Sequence, residues 1–290
     1  MKIGIGLPNT VLQTTGEEML GWATRADERG FSTLATIDRI VYPSYDSLVS
    51  LAGAAGATSR IGLLTNVLLG PLYEPSLLAK QAASLDQLSS GRFTLGLGVG
   101  ARSDDYRAMH KELSDRGKRF DDELELLHRV WAGEPVAPSL DGEPHGVGPL
   151  PTNGVVPLLI GGQPQHAAPR AVKYGAGWTI GGGGVDMARA GAESFRAAWT
   201  EAGGPGEPRI VALTYFSLGE DNVEESKANL SSYYAYLTEW VDGIVNYQPR
   251  TLETVKETVK AFEDIGIDEL IFDATARDPR QVDLLADAVL

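Results

Sequence analysis

The segment LLAKQAASLDQLSSGRFTLGLGVG, Leu77 to Gly100, joins a helix to a buried strand and sets the reading of the whole chain. The helix begins at Pro75, suited to a first helical position because its missing N–H is not needed there, and runs to Ser89. The strand, Arg92 to Gly100, is a near-continuous apolar run, as parallel strands are when both faces are covered. Toward the N-terminus the alternation continues with strand Ile61 to Leu69, a helix from about Asp46 to Ser59, and strand Thr33 to Ile37. Before these, strand Ile3 to Pro8 leads into a helix that opens on the capping box Thr15-Gly-Glu-Glu18 and closes at Gly30.

Toward the C-terminus, Phe120, Leu124, Leu127 and Trp131 mark one apolar helix face that ends at Gly133. From Glu134 to Val156 the chain is rich in Pro and Gly without a period, a long excursion of the kind that often covers a site. Strand Pro157 to Gly161 and helix Pro164 to Tyr174 follow, then strand Gly177 to Gly181 and helix Asp186 to Ala202. Strand Arg209 to Leu218 precedes a helical stretch from about Val223 to Ile265, broken near Tyr247 to Arg250 and capped by Gly266. Strand Glu269 to Ala274 and helix Pro279 to Val289 complete the series. Eight strand–helix pairs predict an α/β fold, a (β/α)8 TIM barrel in one domain over residues 1–290, with function on the loops after the strands. A doubly wound open sheet would show the same local pattern.

The 290 residues carry a formal charge of −14 and no run of five like charges, which excludes a nucleic-acid or anionic-membrane footprint. With no cysteine there is no disulfide, thiolate chemistry or zinc ribbon, and the four histidines, His110, His128, His145 and His166, lack metal-binding spacing. No stretch has the length of a signal peptide or a membrane span, so a cytoplasmic protein is expected. The 34 glycines exceed the usual share of about 7% and point to tight turns or close approach to a ligand.

One such run, Gly96 to Ala101 (GLGVGA), formally fits the GxGxxA dinucleotide fingerprint. That fingerprint opens its domain at the first βα turn, whereas this one follows the fourth strand, and Ser103, Asp104 and Asp105 come before any helix. Close packing at a strand end accounts for the glycines equally well.

The opening segment resembles the bacterial luciferase-like family, with LDQLSSGR, Leu85 to Arg92, as its most specific part. So do Ala26-Asp-Glu-Arg-Gly-Phe31, Arg119 with Glu123 and Trp131, Pro157-Leu-Leu-Ile-Gly-Gly162 and Gly175-Ala-Gly-Trp178, so that the resemblance covers nearly the whole chain. The family comprises flavin-dependent monooxygenases and coenzyme F420-dependent reductases and dehydrogenases. The resemblance therefore implies reduced FMN or F420 as cofactor and a small organic substrate. It also implies a separate flavin or F420 reductase and a homodimer packed through helices of the first units.

Residue by residue, it implies a bulge with a cis peptide at Asn66-Val67, beneath the cofactor ring. Gly161, Gly162 and the run Gly181, Gly182, Gly183 and Gly184 lie where the family cradles the phosphate, each run preceding a helix whose positive end favours an anion. Some F420 enzymes place a lysine at the second run, where this chain has only glycine. Family dehydrogenases carry a histidine after the second strand or a glutamate after the fourth. Here Arg39 follows Ile37-Asp38, and Ala101 precedes Arg102, which argues against sugar-phosphate oxidation. Arg39 stays protonated, so its expected catalytic role is to fix an anionic ring edge or a substrate carbonyl; a surface arginine, or one ion-paired with Asp38, is the structural alternative.

His128 reads as a satisfied core histidine, His110 and His145 lie in segments that could line the mouth, and Asp104 and Asp105 read as a solvated loop. The leading function is an oxidoreductase acting by monooxygenation with reduced FMN or by hydride transfer with F420. The alternatives are a nicotinamide-dependent dehydrogenase on an open sheet and a flavin-binding barrel without turnover.

Overall fold

Parallel strands β1 (Lys2–Gly6), β2 (Thr33–Thr36), β3 (Gly62–Thr65), β4 (Leu68–Leu69), β5 (Phe93–Gly98), β6 (Leu158–Gly161), β7 (Gly177–Ile180), β8 (Ile210–Phe216) and β9 (Glu269–Ala274) form one sheet in the computed structural model. It describes the backbone of residues 1–290 and every side chain except those of residues 238–240. The spatial order is β3-β2-β1-β9-β8-β7-β6-β5-β4, and β3 also pairs with β5, Leu63 opposite Phe93 and Leu64 opposite Thr94. That pairing closes the sheet. Because β3 and β4 are two pieces of one stave, the barrel has eight, and the open-sheet alternative falls.

Helices α1 (Gly16–Arg29), α2 (Ser47–Ala57), α3 (Pro75–Leu88), α4 (Ser103–Ala108), α5 (Arg116–Trp131), α6 (Pro164–Tyr174), α7 (Val185–Glu201), α8 (Val223–Tyr233), α9 (Val241–Tyr247), α10 (Leu252–Asp264) and α11 (Arg280–Val289) follow the strands. Local chemistry sets their ends. Thr15 and Glu18 make the reciprocal capping box of α1, and Gly30 closes it in the left-handed region at φ 99°. On α5 the stripe Phe120, Leu124, Leu127 and Trp131 is buried, and Trp131 Nε1 donates to the Ala79 carbonyl at 3.1 Å.

Period-2 alternation divides the apolar residues between two compartments. Along β9, Leu270, Phe272 and Ala274 join the outer core between sheet and helices, while Ile271 joins Ala35, Leu64, Leu159 and Val211 in a layer that fills the bore. The bore is therefore packed, and its open end lies where the strands finish.

The long excursion lies at the other end. It follows α5, and a helix returns the chain to the end where strands begin. There Gln87 Nε2 donates to the Leu150 carbonyl at 2.9 Å and the Thr152 N–H to Asp86 Oδ2 at 2.6 Å. The expectation that it covers a site is thus corrected. The insertion on the functional end is instead α8, a 3-10 turn (Ala235–Trp240) and α9, between β8 and α10. No described helix is long and apolar enough to cross a membrane.

Candidate active site

The third stave breaks where the sequence reading placed a bulge. The Asn66–Val67 peptide is cis, between β3 and β4. The Asn66 N–H donates to the Thr36 carbonyl at 2.7 Å, and the Leu69 N–H to Asp38 Oδ2 at 3.0 Å, so both sides of the break are tied to the end of β2. Asn66 is buried; its Oδ1 accepts from Thr179 Oγ1 at 2.6 Å, and its Nδ2 has no partner. Glycines make room for this arrangement. A Cβ on Gly96 would overlap the Thr65 carbonyl oxygen, one on Gly98 would lie 2.8 Å from Val67 Cγ2, and one on Gly161 would lie 3.1 Å from Val67 Cγ1. The glycines of the GxGxxA match are therefore there for close packing against the third stave, Gly96 on Thr65, Gly98 on Val67 and Gly100 on Leu69.

The expected phosphate cradle divides in two. At Gly162 and Gly181 a Cβ would meet nothing within 4 Å, so both face open space, and φ of +114° at Gly162 is a backbone that L side chains rarely adopt. Trp178 Nε1 donates to the Gly162 carbonyl at 3.0 Å and holds the two loops together. Neither α6 nor α7 has a side-chain N-cap; α6 begins at Pro164, which has no N–H, and its His166 N–H donates to the Gln163 carbonyl at 3.0 Å, so the first-turn N–H groups that remain available lie mainly on α7. By contrast Gly182 packs on Tyr215, Gly183 on Met187 and Gly184 on Tyr247. These three are small because side chains cover them. Beside them lies a cavity of about 540 Å³ whose walls include Tyr215, Tyr234, Tyr236, Leu237 and Ile244.

Arg39 does not pair with Asp38. Its Nε donates to Asp105 Oδ2 at 2.8 Å and its Nη2 to Asp104 Oδ2 at 3.1 Å and to the Val41 carbonyl at 3.0 Å. Asp105, read from the sequence as solvated, is fully buried, and its Oδ1 accepts from the N–H groups of Ile40 and Val41 at 3.1 and 2.7 Å. That expectation is corrected: α4 delivers the carboxylate to a pocket that already holds a cation. The guanidinium also stands 5.7 Å from the Tyr42 ring centroid and 5.8 Å from that of Tyr233.

Several groups at the mouth were missed by sequence reasoning. Asp38 accepts from Leu69 N, Tyr73 Oη and Ser47 Oγ, and burial pushes its carboxyl up to about 6. Arg102 stands 3.9 Å from the Tyr236 ring centroid and donates to the Tyr233 carbonyl at 2.7 Å. Tyr215 and Tyr234 share a 2.5 Å hydroxyl contact, and burial raises both phenols. The run Tyr233-Tyr-Ala-Tyr236 was the available signal, but nothing local says which way it faces.

Two of the histidines lie away from the mouth. His128 Nδ1 lies 2.9 Å from the Leu124 carbonyl and its ring stacks on Tyr174, as a core histidine does. His145 pairs with Asp141 in the excursion, away from the mouth. His110 and His166 are exposed. Among the described residues no His, Asp and Glu cluster could hold a metal ion.

A family model described as luciferase-like monooxygenase matches residues 1–253. Among solved structures, the monooxygenase RslO1 from Streptomyces bottropensis aligns with a TM-score of 0.81 at 24% identity, over 100% of this chain and 98% of that one. An F420-dependent secondary alcohol dehydrogenase in complex with an F420–acetone adduct aligns at 0.78 and 19% identity, over 99% and 98% of the two chains. The oxygenating constituent of 3,6-diketocamphane monooxygenase from the CAM plasmid of Pseudomonas putida, in complex with FMN, aligns at 0.75 and 18% identity, over 100% and 98%. At these identities the structures establish likeness of fold.

Proposed function

The chain belongs to the luciferase-like monooxygenase family, and from that premise we propose that it is an oxidoreductase binding FMN or F420 across the barrel mouth and acting on a small organic substrate in the adjoining cavity. The observation that carries this reading is a coincidence at one barrel end. Open glycines beside two uncapped helix N-termini stand next to a bulge flanked by glycines and a buried, unpartnered amide. When bound and reduced, the ring supplies either a hydride or the electrons for oxygen, and that chemistry is the cofactor's own.

The chain's part is to bind, orient and exclude water. Gly162 and Gly181 bring backbone N–H groups to the phosphate, and the field of α6 and α7 adds to them. Asn66 and Val67 back the ring. Tyr215, Tyr234 and Tyr236 line a mostly apolar compartment that keeps water from the reacting face. Monooxygenation with FMN reduced by a separate enzyme is favoured over dehydrogenation by one feature: the positions after β2 and β5 hold Arg39 and Arg102, and neither guanidinium can accept a proton. A cytoplasmic homodimer built on α1, α2 and α3, where Leu20, Val49 and Leu77 are exposed, belongs to the same reading.

Gly181 gives a clean test, since its φ is not positive and a side chain there meets no neighbour. Gly181→Val is expected to weaken FMN binding about tenfold or more, read by flavin fluorescence, and to leave riboflavin, which has no phosphate, unchanged. Equal loss for both ligands removes the cradle from the argument. Binding of NADH in place of FMN and F420 overturns the proposed function.

A further inference from the structure

Two carboxylates on β9 sit on the bore side of the strand, four residues apart, and the barrel treats them in opposite ways. Glu269, where the strand begins, accepts from Ser32 Oγ and Thr33 Oγ1 at 2.6 Å each and from Arg209 Nη2 at 2.9 Å. Asp273, at the mouth end, is 1% exposed, and neither of its oxygens has a hydrogen-bond partner. Space is made for it: a Cβ on Gly6 of β1 would overlap Asp273 Oδ1. Opposite it in the register of β8 is Tyr215, whose hydroxyl is engaged with Tyr234. Asn66, at the same end of the bore, leaves its Nδ2 unpartnered as well.

A buried carboxyl without partners is costly, and native barrels satisfy such groups unless something else will. Glu269 shows that this one does so where the role is structural. Neither a cation nor a hydrogen-bond donor meets its oxygens, and burial pushes the Asp273 carboxyl well above the ordinary range, which favours the neutral form. A neutral carboxyl presents one donor and one acceptor side by side. Its complement is a ligand edge with an N–H next to a C=O.

We propose that Asp273 is a ligand-binding residue of the mouth whose carboxyl takes the amide edge of a pyrimidinedione, one oxygen accepting from the ring N–H and the other donating to the neighbouring carbonyl. FMN and F420 share that edge, so the inference rests on the proposed function and deepens it.

The test uses lumiflavin and 3-methyllumiflavin, which carries a methyl group in place of that N–H, with wild type, Asp273→Asn and Asp273→Leu. Affinity is read by fluorescence quenching, and the ligand-free proteins are melted. Wild type is expected to bind lumiflavin about tenfold more tightly than its methylated analogue. Asp273→Leu is expected to lose about tenfold for lumiflavin and all discrimination, while its ligand-free Tm rises, because an unpartnered polar group has gone. Asp273→Asn, which keeps a donor and an acceptor, is expected to stay within about threefold of wild type. Unchanged lumiflavin affinity in Asp273→Leu overturns the inference alone. If that variant does not fold, equal affinity of wild type for the two lumiflavins overturns it. Failure of wild type to bind lumiflavin, FMN and F420 overturns the proposed function, and the inference with it.

Discussion

A permanent charge at the end of β2 can serve an anionic ligand or anchor a loop, and for Arg39 the partners decide. Two carboxylates share its fork, one of them fully buried, so its first task is to hold α4 against the end of β2. Removing the cation leaves Asp105 buried and unpaired, a loss of about 3–5 kcal/mol. Arg39→Ala is therefore expected to lower stability by that amount in urea titration, and Arg39→Lys to recover part of it, because a point charge replaces a fork. If Arg39→Ala melts like wild type while turnover falls, the anchor reading is wrong and the ligand-facing role expected from the sequence returns. The glycines teach the same lesson. Sequence grouped Gly181 to Gly184 as one run, but the fold separates the open Gly181 from three glycines covered by the distant Tyr215 and Tyr247 and by Met187 one helical turn on.

Elements were legible wherever their signals are local: the capping box of α1, the proline at the start of α3 and the apolar stripe of α5 all occur as read. What the polar residues of those elements meet was not legible. Glu123 of α5 is buried against the 3-10 turn Gly70–Leu72, where a Cβ on Gly70 would lie 2.5 Å from its Oε1. Burial pushes its carboxyl up to about 8, with Lys111 and Arg119 opposing the shift. An acid whose folded pKa is raised contributes stability that is complete below its ordinary value near 4.5 and is lost as pH rises through 8. The stability of Glu123→Gln relative to wild type is therefore expected to rise between pH 4.5 and 8, by roughly 2–4 kcal/mol in denaturant titrations at the two ends. A pH-independent difference would show that the carboxyl is solvated in the folded protein.

At the scale of the whole molecule, the two irregular insertions lie at opposite ends of the barrel. The 134–156 excursion hangs beside the strand starts, and the α8–α9 insertion stands over the mouth. Replacing residues 138–145 with a short Gly-Ser linker is accordingly expected to leave FMN or F420 affinity within about twofold. Tyr234→Ala, at the wall of the mouth cavity, is expected to change it several-fold. Equal effects of the two changes in the same fluorescence titration would mean that the excursion reaches the site.

Alternation of strand and helix and the caps reside in short stretches of chain, and the sequence by itself determined them. Each depends on φ preferences, periodicity or residue types within about a dozen positions. The break in the third strand came only as what the family resemblance implies. Closure of the sheet, the pairing of Arg39 with Asp105 across 66 residues and the bond from Thr179 to Asn66 across 113 exist only once the barrel forms. So does the isolation of Asp273, because whether a buried group has a partner depends on side chains from other strands, and no spacing along β9 distinguishes it from Glu269. Tertiary structure alone decided which polar groups are satisfied and which are left without a partner.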